Sequence, residues 1–472
     1  MTFEIKNICC IGAGYVGGPT MAVIADKCPK IKVEVVDVNQ EKISDWNNKD
    51  FDKLPIYEPG LSEIIKRCRD RNLFFSNLLE DKIKNADMVF ISVNTPTKKK
   101  GVGAGKASDL KWVEVCARQV AKFARGHTIV VEKSTLPVRT AEVIKSILQS
   151  SAKNPYPDST NSSFDVLSNP EFLSEGTAIS DLTNPDRILI GGENDEAIEA
   201  LCEVYRNWVS NEKILKTNVW SSELAKLTAN AFLAQRISSI NSISALCEKT
   251  GADIREVSRA IGSDSRIGSK FLESGPGFGG SCFKKDILNL VYLSEYFGLP
   301  EVSKYWEQVV SINEWQRRRI SELIVNKLFG TITAKRIGIL GFSFKANTND
   351  TRDSSAIQIC KELLNEGGIL IIYDPKVKKM QIEKDLSFQL NNKDDVVHKG
   401  ENDLIFAENI YDVFDLSDCV VVMTEWDEFS KINWNLASKK MRKPGWVFDT
   451  KNIVDQKKVK ESGLNLWVLG KN

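Results

Sequence analysis

The chain is predicted to fold as two doubly wound α/β domains joined by a central helical domain. Three observations predict this. A short apolar run, a glycine-rich turn and a helical stretch open the chain, and the βα rhythm continues past residue 160. Two long middle stretches, 221–249 and 305–328, carry helical patterning with no glycine or proline. After Lys335 the alternation of apolar strand and helix starts again. The divisions that follow are 1–215, 216–330 and 331–472. A length of 472 residues also implies two or three domains.

Composition bounds the function. With 42% hydrophobic and 27% charged residues the chain reads as globular. Its net charge of +1 offers no electrostatic footprint for nucleic acid or a membrane surface. No run approaches the ~18 apolar residues that span a bilayer, and the opening MTFEIKNICC passes straight into a strand pattern rather than a signal peptide. Ten scattered cysteines contain no CxxC pair, so zinc and redox-disulfide motifs are not expected, nor any metal. That usage fits a reducing cytoplasm. Only His127 and His398 are available as imidazoles. Acid–base chemistry is therefore expected to fall to Lys, Glu or Asp.

The first strand is Ile8–Ile11, followed by Gly12-Ala-Gly14-Tyr-Val-Gly17, a helix to about Cys28 and a second strand over Ile31–Asp37. A GxGxxG alone is a weak signal. Placed between strand and helix, with Asp37 following Gly12 by 25 positions, it is a dinucleotide fingerprint of a Rossmann-like domain. Gly12 permits the tight turn, Gly14 admits the pyrophosphate to the backbone, and Gly17 lets helix and strand pack closely. Asp37 suits a ribose hydroxyl and repels a 2′-phosphate, which favours NAD over NADP.

Further strands are expected at Asp87–Val93, ending in Asn94-Thr-Pro-Thr97, and at Thr128–Glu132, ending in Lys133-Ser134-Thr135. Pro137 suits a first helical turn. Polar loops at strand carboxyl ends are where such sheets bind ligands. Residues 152–163 read as a polar surface excursion. A strand at Phe164–Ser168 leads into Asn169-Pro-Glu171-Phe-Leu-Ser-Glu175, whose two carboxylates share a face if the segment is helical. On the helix over 221–249, Lys226 and Asn230 lie four apart, among apolar Leu224, Leu227, Phe232 and Leu233. A lysine so placed is expected to be partly buried, with a lowered pKa.

The most informative segment is GPGFGGSCFK at 275–284. It delivers Cys282 to an expected helix N-terminus, where unpaired amides favour negative charge, with Lys284 and Lys285 adjacent. This is a setting for a thiolate nucleophile. In the last third, strands are expected at Arg336–Gly341, Ile369–Asp374, Cys419–Thr424 and Trp446–Asp449. No GxGxxG occurs there. Gly341-Phe-Ser-Phe-Lys345 and Asp350-Thr-Arg352-Asp-Ser-Ser355 place Lys and Arg at a strand end, which suits phosphate recognition.

These motifs, with LPIYEPGL, NPDRILIGG and IYDPKV, resemble the UDP-glucose 6-dehydrogenases of animal type, nearly end to end. The resemblance implies NAD-dependent four-electron oxidation of UDP-glucose to UDP-glucuronate through a cysteine adduct. It assigns the cofactor to Gly12, Gly14, Val16, Gly17, Asp37, Lys42, Val93, Asn94, Thr95, Pro96, Thr97, Ser134, Glu175 and Arg352. It assigns the sugar nucleotide to Glu171, Lys226, Asn230, Phe344, Lys345 and Lys451, to the loop from Glu273 through Phe278 to Gly279, and to Arg266 of a neighbouring subunit. The catalytic group it implies is Thr135, Glu171, Lys226, Asn230, Cys282 and Asp286. It further implies a hexamer built as a trimer of dimers, feedback inhibition by UDP-xylose and glucuronate supply for glycosaminoglycan and other glycan synthesis.

The chain departs from that pattern in places. Lys42 and Lys451 stand where relatives carry arginine; Lys451 keeps the charge without the bidentate fork. Asp50–Lys53 and Pro155–Ser162 read as loop additions, and the chain stops short of the polar tail of vertebrate members. The alternative within the superfamily is a dehydrogenase of UDP-N-acetylmannosamine or GDP-mannose, and an alternative of another class is a non-catalytic nucleotide-sugar sensor.

Overall fold

The computed structural model describes residues 3–135, 137–153, 162–387 and 403–471. The chain forms two compact units. One comprises Met1–Ala229 with Leu288–Pro300, the other Asn230–Ile287 with Glu301–Asn472.

The first unit is built on eight strands: β1 (Asn7–Ile11), β2 (Lys32–Val36), β3 (Leu73–Ser76), β4 (Met88–Ile91), β5 (His127–Glu132), β6 (Ser163–Ser168), β7 (Ile188–Gly191) and β8 (Ile214–Thr217). Their order is β3-β2-β1-β4-β5-β6-β7-β8. All neighbours run parallel except β6 and β7. A parallel sheet is covered on both faces, so its central strands are apolar on both. Alternate residues supply two cores: Ile8, Cys10, Met88, Phe90, Ile129 and Val131 on one face, Cys9, Ile11, Val89, Ile91 and Val130 on the other.

The second unit repeats the plan with β9 (Arg336–Leu340), β10 (Ile369–Tyr373), β11 (Leu404–Phe406), β12 (Cys419–Val422), β13 (Trp446–Asp449) and β14 (Asn465–Val468). The order is β11-β10-β9-β12-β13-β14, all parallel. Both sheets thus reverse strand order between their first and fourth strands. Ligands of doubly wound folds bind at that point, beyond the strand carboxyl ends.

The expected strands stand within a residue or two of where the sequence put them, and Trp446–Asp449 has the expected bounds. The long helices cover Val219–Thr250 and Pro300–Lys327. Three local expectations differ. Asn169–Ser174 is irregular and the next helix starts only at Ala178, so Glu171 and Glu175 do not share a helical face. The helix after β5 begins at Thr140, three residues beyond Pro137. Leu224 and Phe232 are exposed on their helix, while Leu227 is buried. Asp50–Lys53 forms a single 3-10 turn (Phe51–Lys53), with the Arg69 guanidinium over the Phe51 ring. Most of the 152–163 excursion lies outside the described residues. Among the described residues no helix is long and apolar enough to cross a membrane, and no cluster of three or more His, Cys, Asp or Glu side chains could hold a metal ion.

Candidate active site

In the first unit the switch point is a cradle. Gly12 adopts φ +111°, and a Cβ there would lie 2.2 Å from the Ser92 carbonyl oxygen. A Cβ on Gly17 would lie 2.0 Å from the Gly12 oxygen, so only glycine lets the Gly17–Lys27 helix start this close to β1. Gly14 differs: nothing lies within 4 Å of its Cβ position. Val16, the N-cap residue, supplies no side-chain cap and the first turn holds no acid. The helix start is therefore open to an anion. Buried Trp46 fixes the turn from behind by donating to the Ala13 oxygen at 3.0 Å.

Asp37 follows β2. Its Oδ2 accepts the Ala13 amide at 3.0 Å and the Lys42 ammonium at 3.0 Å, and its Oδ1 accepts the Asn39 amide. Burial alone would raise this carboxyl, but the Asn39 and Ala13 amides and Lys42 hold it below the usual carboxylate range. It stays anionic, as a ribose acceptor must. The loop Val93, Asn94, Thr95, Pro96 and Thr97 is tied to the next one. The Ser134 hydroxyl donates to the Val93 oxygen at 2.7 Å and the Thr95 hydroxyl to the Thr135 oxygen at 3.1 Å. Open glycine backbone, an uncapped helix start and an anionic aspartate fit a dinucleotide.

Beyond β6, Glu171 is buried, with Oε1 3.4 Å from the Lys226 Nζ and Oε2 accepting the Leu173 amide at 2.9 Å. Lys226 is 4% exposed and lies 5.3 Å from the centre of the Phe172 ring. Glu175 occupies the turn that follows, whose amides at Gly176 and Ala178 are held by the buried Glu58 carboxylate.

In the second unit the helix Phe283–Tyr296 starts one residue after Cys282, whose carbonyl accepts the Asp286 amide at 2.9 Å. Cys282 therefore stands at the N-cap. It is the one cysteine of the ten that is not buried. Burial pushes the other thiols up, Cys28 and Cys116 to about 12. The two lysines beside it are engaged with acids: Lys284 with Glu314 at 2.7 Å and Lys285 with Asp286 at 3.6 Å. Asp286, 1% exposed, accepts the Asn230 amide group at 2.6 Å.

The glycine loop before Cys282 is clamped from the Pro300–Lys327 helix. Asn313 exchanges hydrogen bonds with the Phe278 backbone at 2.8 and 3.1 Å, and Gln316 donates to the Gly275 oxygen at 3.0 Å. Arg317, 3% exposed, donates to the Phe278 and Asp353 oxygens and to the Ser355 hydroxyl. It thereby ties the glycine loop to the Asp350–Ser355 segment. Phe344 packs against Gly279 and Gly280, and Lys345 lies over its ring. Lys451 pairs with Glu425 at 2.6 Å and lies beside Gly275. Arg352 is forked onto Asp350 at 2.6–2.9 Å. Glu273 is exposed, and Arg266 lies outside this cluster, exposed and paired with Asp264.

Reading the sequence had missed Glu58, the Asn313-Gln316-Arg317 clamp and the buried Lys133. Only the polar residues at helical spacing on the second long helix could have signalled the clamp.

Fold and site define a dinucleotide-dependent dehydrogenase with a cysteine at a helix start. Residues 6–209 match the NAD binding domain of the UDP-glucose/GDP-mannose dehydrogenase family, 220–315 its central domain and 338–456 its UDP binding domain. The chain is 55% identical to UDP-glucose 6-dehydrogenase of Gallus gallus over 99% of its own length and 94% of that protein's. It is 53% identical to that of Drosophila melanogaster, covering 98% and 96%. A solved UDP-glucose dehydrogenase from Pyrobaculum islandicum superposes with a TM-score of 0.81 at 30% identity, covering 97% of this chain and 96% of that one. The chain belongs to the UDP-glucose/GDP-mannose dehydrogenase family, and its cofactor is NAD.

Proposed function

We propose that the protein oxidises the C6 alcohol of UDP-glucose to the carboxylate of UDP-glucuronate. One water and two NAD⁺ are consumed per sugar, and two NADH and three protons are released. The observation that carries this reading is Cys282: the single unburied cysteine, at a helix N-cap. Identity above 50% to proteins named UDP-glucose 6-dehydrogenase supports the choice of sugar.

The Gly12–Gly17 turn and Asp37 would hold NAD⁺, which would supply the hydride acceptor for each of the two oxidations. The protein's own groups do the rest. Lys226, held by Glu171, takes the C6 hydroxyl proton and stabilises negative charge developing on that oxygen. The Cys282 thiolate then adds to the C6 aldehyde, forming a C–S bond and a tetrahedral carbon that still carries a hydrogen. The helix start favours the thiolate. Asn230 and Asp286 with Thr135 orient the hydroxyl oxygen and a water. After the second oxidation the carbon is a thioester. Glu171 draws a proton from water, the new C–O bond forms, the C–S bond breaks and the thiolate is restored.

Finer readings extend this one. A division into 1–215 for NAD, 216–330 for the helices and cysteine loop, and 331–472 for the UDP-sugar draws support from family-domain matches over 6–209, 220–315 and 338–456. A cytoplasmic homo-oligomer, as a hexamer of three dimers, draws support from ten scattered cysteines with no CxxC pair and from exposed Phe232, Ile243 and Leu246 on the Val219–Thr250 helix. Glucuronate supply for glycan synthesis and inhibition by UDP-xylose rest on the family likeness.

The test is the NADH count per sugar. Two NADH per UDP-glucose is expected. A ratio of one, or turnover only of UDP-N-acetylmannosamine or GDP-mannose, overturns the reading. Cys282→Ser should lower turnover by about 10³-fold or more while still binding NAD.

A further inference from the structure

Phe172 plays no part in the chemistry above. It lies where β6 and β7, the antiparallel neighbours of the first sheet, meet at Ser168 and Gly191. The chain leaving β6 therefore runs back along the chain entering β7. The Asn169 side-chain NH₂ group donates to the Leu189 oxygen at 2.8 Å across that seam. Phe172 stands four positions after Ser168, and Arg187 four before Gly191. The register thus brings the two side chains together as a cross-strand pair. The Arg187 guanidinium carbon lies 3.9 Å from the centre of the Phe172 ring. The turn under the ring is fixed by Glu171, whose Oε2 accepts the Leu173 amide at 2.9 Å.

Phe172 and Arg187 are both half-buried. Among the described residues the Arg187 guanidinium has no carboxylate and no hydrogen-bond acceptor, so the ring it stacks on is its partner. The Lys226 Nζ lies over the same ring, 5.3 Å from its centre, and 3.4 Å from Glu171 Oε1. A charge-assisted hydrogen bond usually spans about 2.7–2.9 Å. The Glu171 contact is longer, so the carboxylate alone does not fix the ammonium. The face of an aromatic ring attracts a cation within about 6 Å of its centre, and more strongly where water is excluded. Lys226 is 4% exposed. An amine that takes a proton becomes an ammonium, and the ring attracts that form rather than the neutral one. Its pull therefore grows as the proton arrives.

We propose that Phe172 is a positioning residue for the first oxidation: its ring, backed by Arg187, holds the Lys226 amine against Glu171 and stabilises the charge that amine gains. This rests on Lys226 as the base that takes the C6 hydroxyl proton.

The experiment measures the rate of first NADH formation by stopped flow at saturating UDP-glucose and NAD⁺, the KM for each, and the melting temperature. Phe172 is replaced, at that position alone, by phenylalanines carrying one, two and three ring fluorines. These withdraw electron density from the ring face and keep its shape. The rate falls stepwise, by about tenfold at three fluorines. Both KM values stay within about twofold, and the melting temperature holds within about 2 °C. Phe172→Tyr keeps the parental rate, and Phe172→Leu loses about as much as the three-fluorine ring. Arg187→Ala, which leaves the ring unbacked, lowers the rate about threefold. A rate unmoved across the fluorine series, or unmoved in Arg187→Ala, overturns the proposal. So does a loss confined to the KM for UDP-glucose, which would make the ring a wall for the sugar. The fluorine series decides the matter even where Phe172→Leu does not fold. Failure of the unmodified protein to form two NADH per UDP-glucose would sink the functional reading instead.

Discussion

In the first sheet the glycine after β1 is Gly12, at φ +111°; in the second the glycine after β9 is Gly341, at φ +94°. Each faces the loop leaving the fourth strand of its sheet. An added Cβ would sit 2.2 Å from the Ser92 oxygen in one case and 2.4 Å from the Thr424 Cβ in the other. Each second strand is followed by an aspartate, Asp37 or Asp374. The difference is in what stays open. Asp37 takes one amide of its glycine turn. Asp374 Oδ2 takes the Phe342 and Ser343 amides at 2.7 and 3.0 Å, the Ser343 hydroxyl at 3.2 Å and the Trp426 indole at 3.3 Å. Nothing crowds Gly14, whereas the corresponding turn holds fully buried Phe342. The first helix start has no side-chain cap, while the Ser355–Asn365 helix is capped by Ser354. Strand order and a well-placed acid do not by themselves make a dinucleotide site. Uncommitted backbone and missing side chains do.

Glycine substitutions test that contrast most severely. Gly341→Ala combines a left-handed φ with a hard clash, and should cost about 2–4 kcal/mol, lowering the melting temperature by roughly 5–10 °C. Gly14→Ala meets no atom, so it should melt within about 2 °C of the parent yet weaken NAD about tenfold or more by obstructing the approach of the pyrophosphate. Differential scanning calorimetry and NAD titration read the two effects. An early-melting Gly14→Ala, or one that binds NAD normally, breaks the comparison.

The aspartates come next. Asp374→Asn removes an anionic acceptor from several buried donors and should cost about 2–3 kcal/mol. Asp37→Asn should cost about 1 kcal/mol at neutral pH while relaxing the preference for NAD over NADP by about tenfold. Because the folded protein holds the Asp37 carboxyl below its ordinary range, its stabilisation is present above that range and is lost as pH falls through it. The stability gap between Asp37→Asn and the parent should therefore close in acid. Urea melts at two pH values measure it, and a gap that widens in acid contradicts the assignment.

How much of this was legible in the sequence follows strand position. The central strands β1, β4, β9 and β12 are buried on both faces, so their apolar runs stand out from their surroundings. β3, β8, β11 and β14 are sheet edges. They are short and partly exposed, with mixed composition, and sequence reading passed over them. β7 was passed over although all four of its residues are buried, because its run is only four residues long. At the site, Gly12, Asp37 and Cys282 were legible because turn chemistry and helix starts are local. Lys133 was not, since its burial depends on Asn169, 36 positions away, and on Tyr205, 72 away. The Glu171–Glu175 spacing misled because Pro170 and the Glu58 carboxylate hold that segment in an irregular form.

The finest distinction lies at the end of the fifth strand of each sheet, where both units bury an acid. Glu132 closes β5 and is hydrogen-bonded to the buried Glu223 carboxyl, whose oxygens also accept the Arg139 and Ala141 amides. Burial, then the charge of Glu223, pushes the Glu132 carboxyl up, so the pair retains a proton. Asp449 closes β13 and is also raised by burial, but its neighbours are backbone amides, among them Val454 and Lys451 at 3.0 and 3.1 Å. The folded state binds more protons at Glu132 than the unfolded chain does, so this group's contribution falls as pH rises above the ordinary glutamate range. Glu132→Gln keeps the hydrogen bond and cannot titrate. It should be close to neutral near pH 5 and stabilising by about 1 kcal/mol near pH 8. Asp449→Asn turns an NH₂ group toward amides that need an acceptor, and should destabilise by about 1–3 kcal/mol at both pH values. Thermal melts of the two variants at both pH values decide it: equal losses in Glu132→Gln at pH 5 and pH 8 would show that the glutamates do not share a proton, and that the two strand ends are alike.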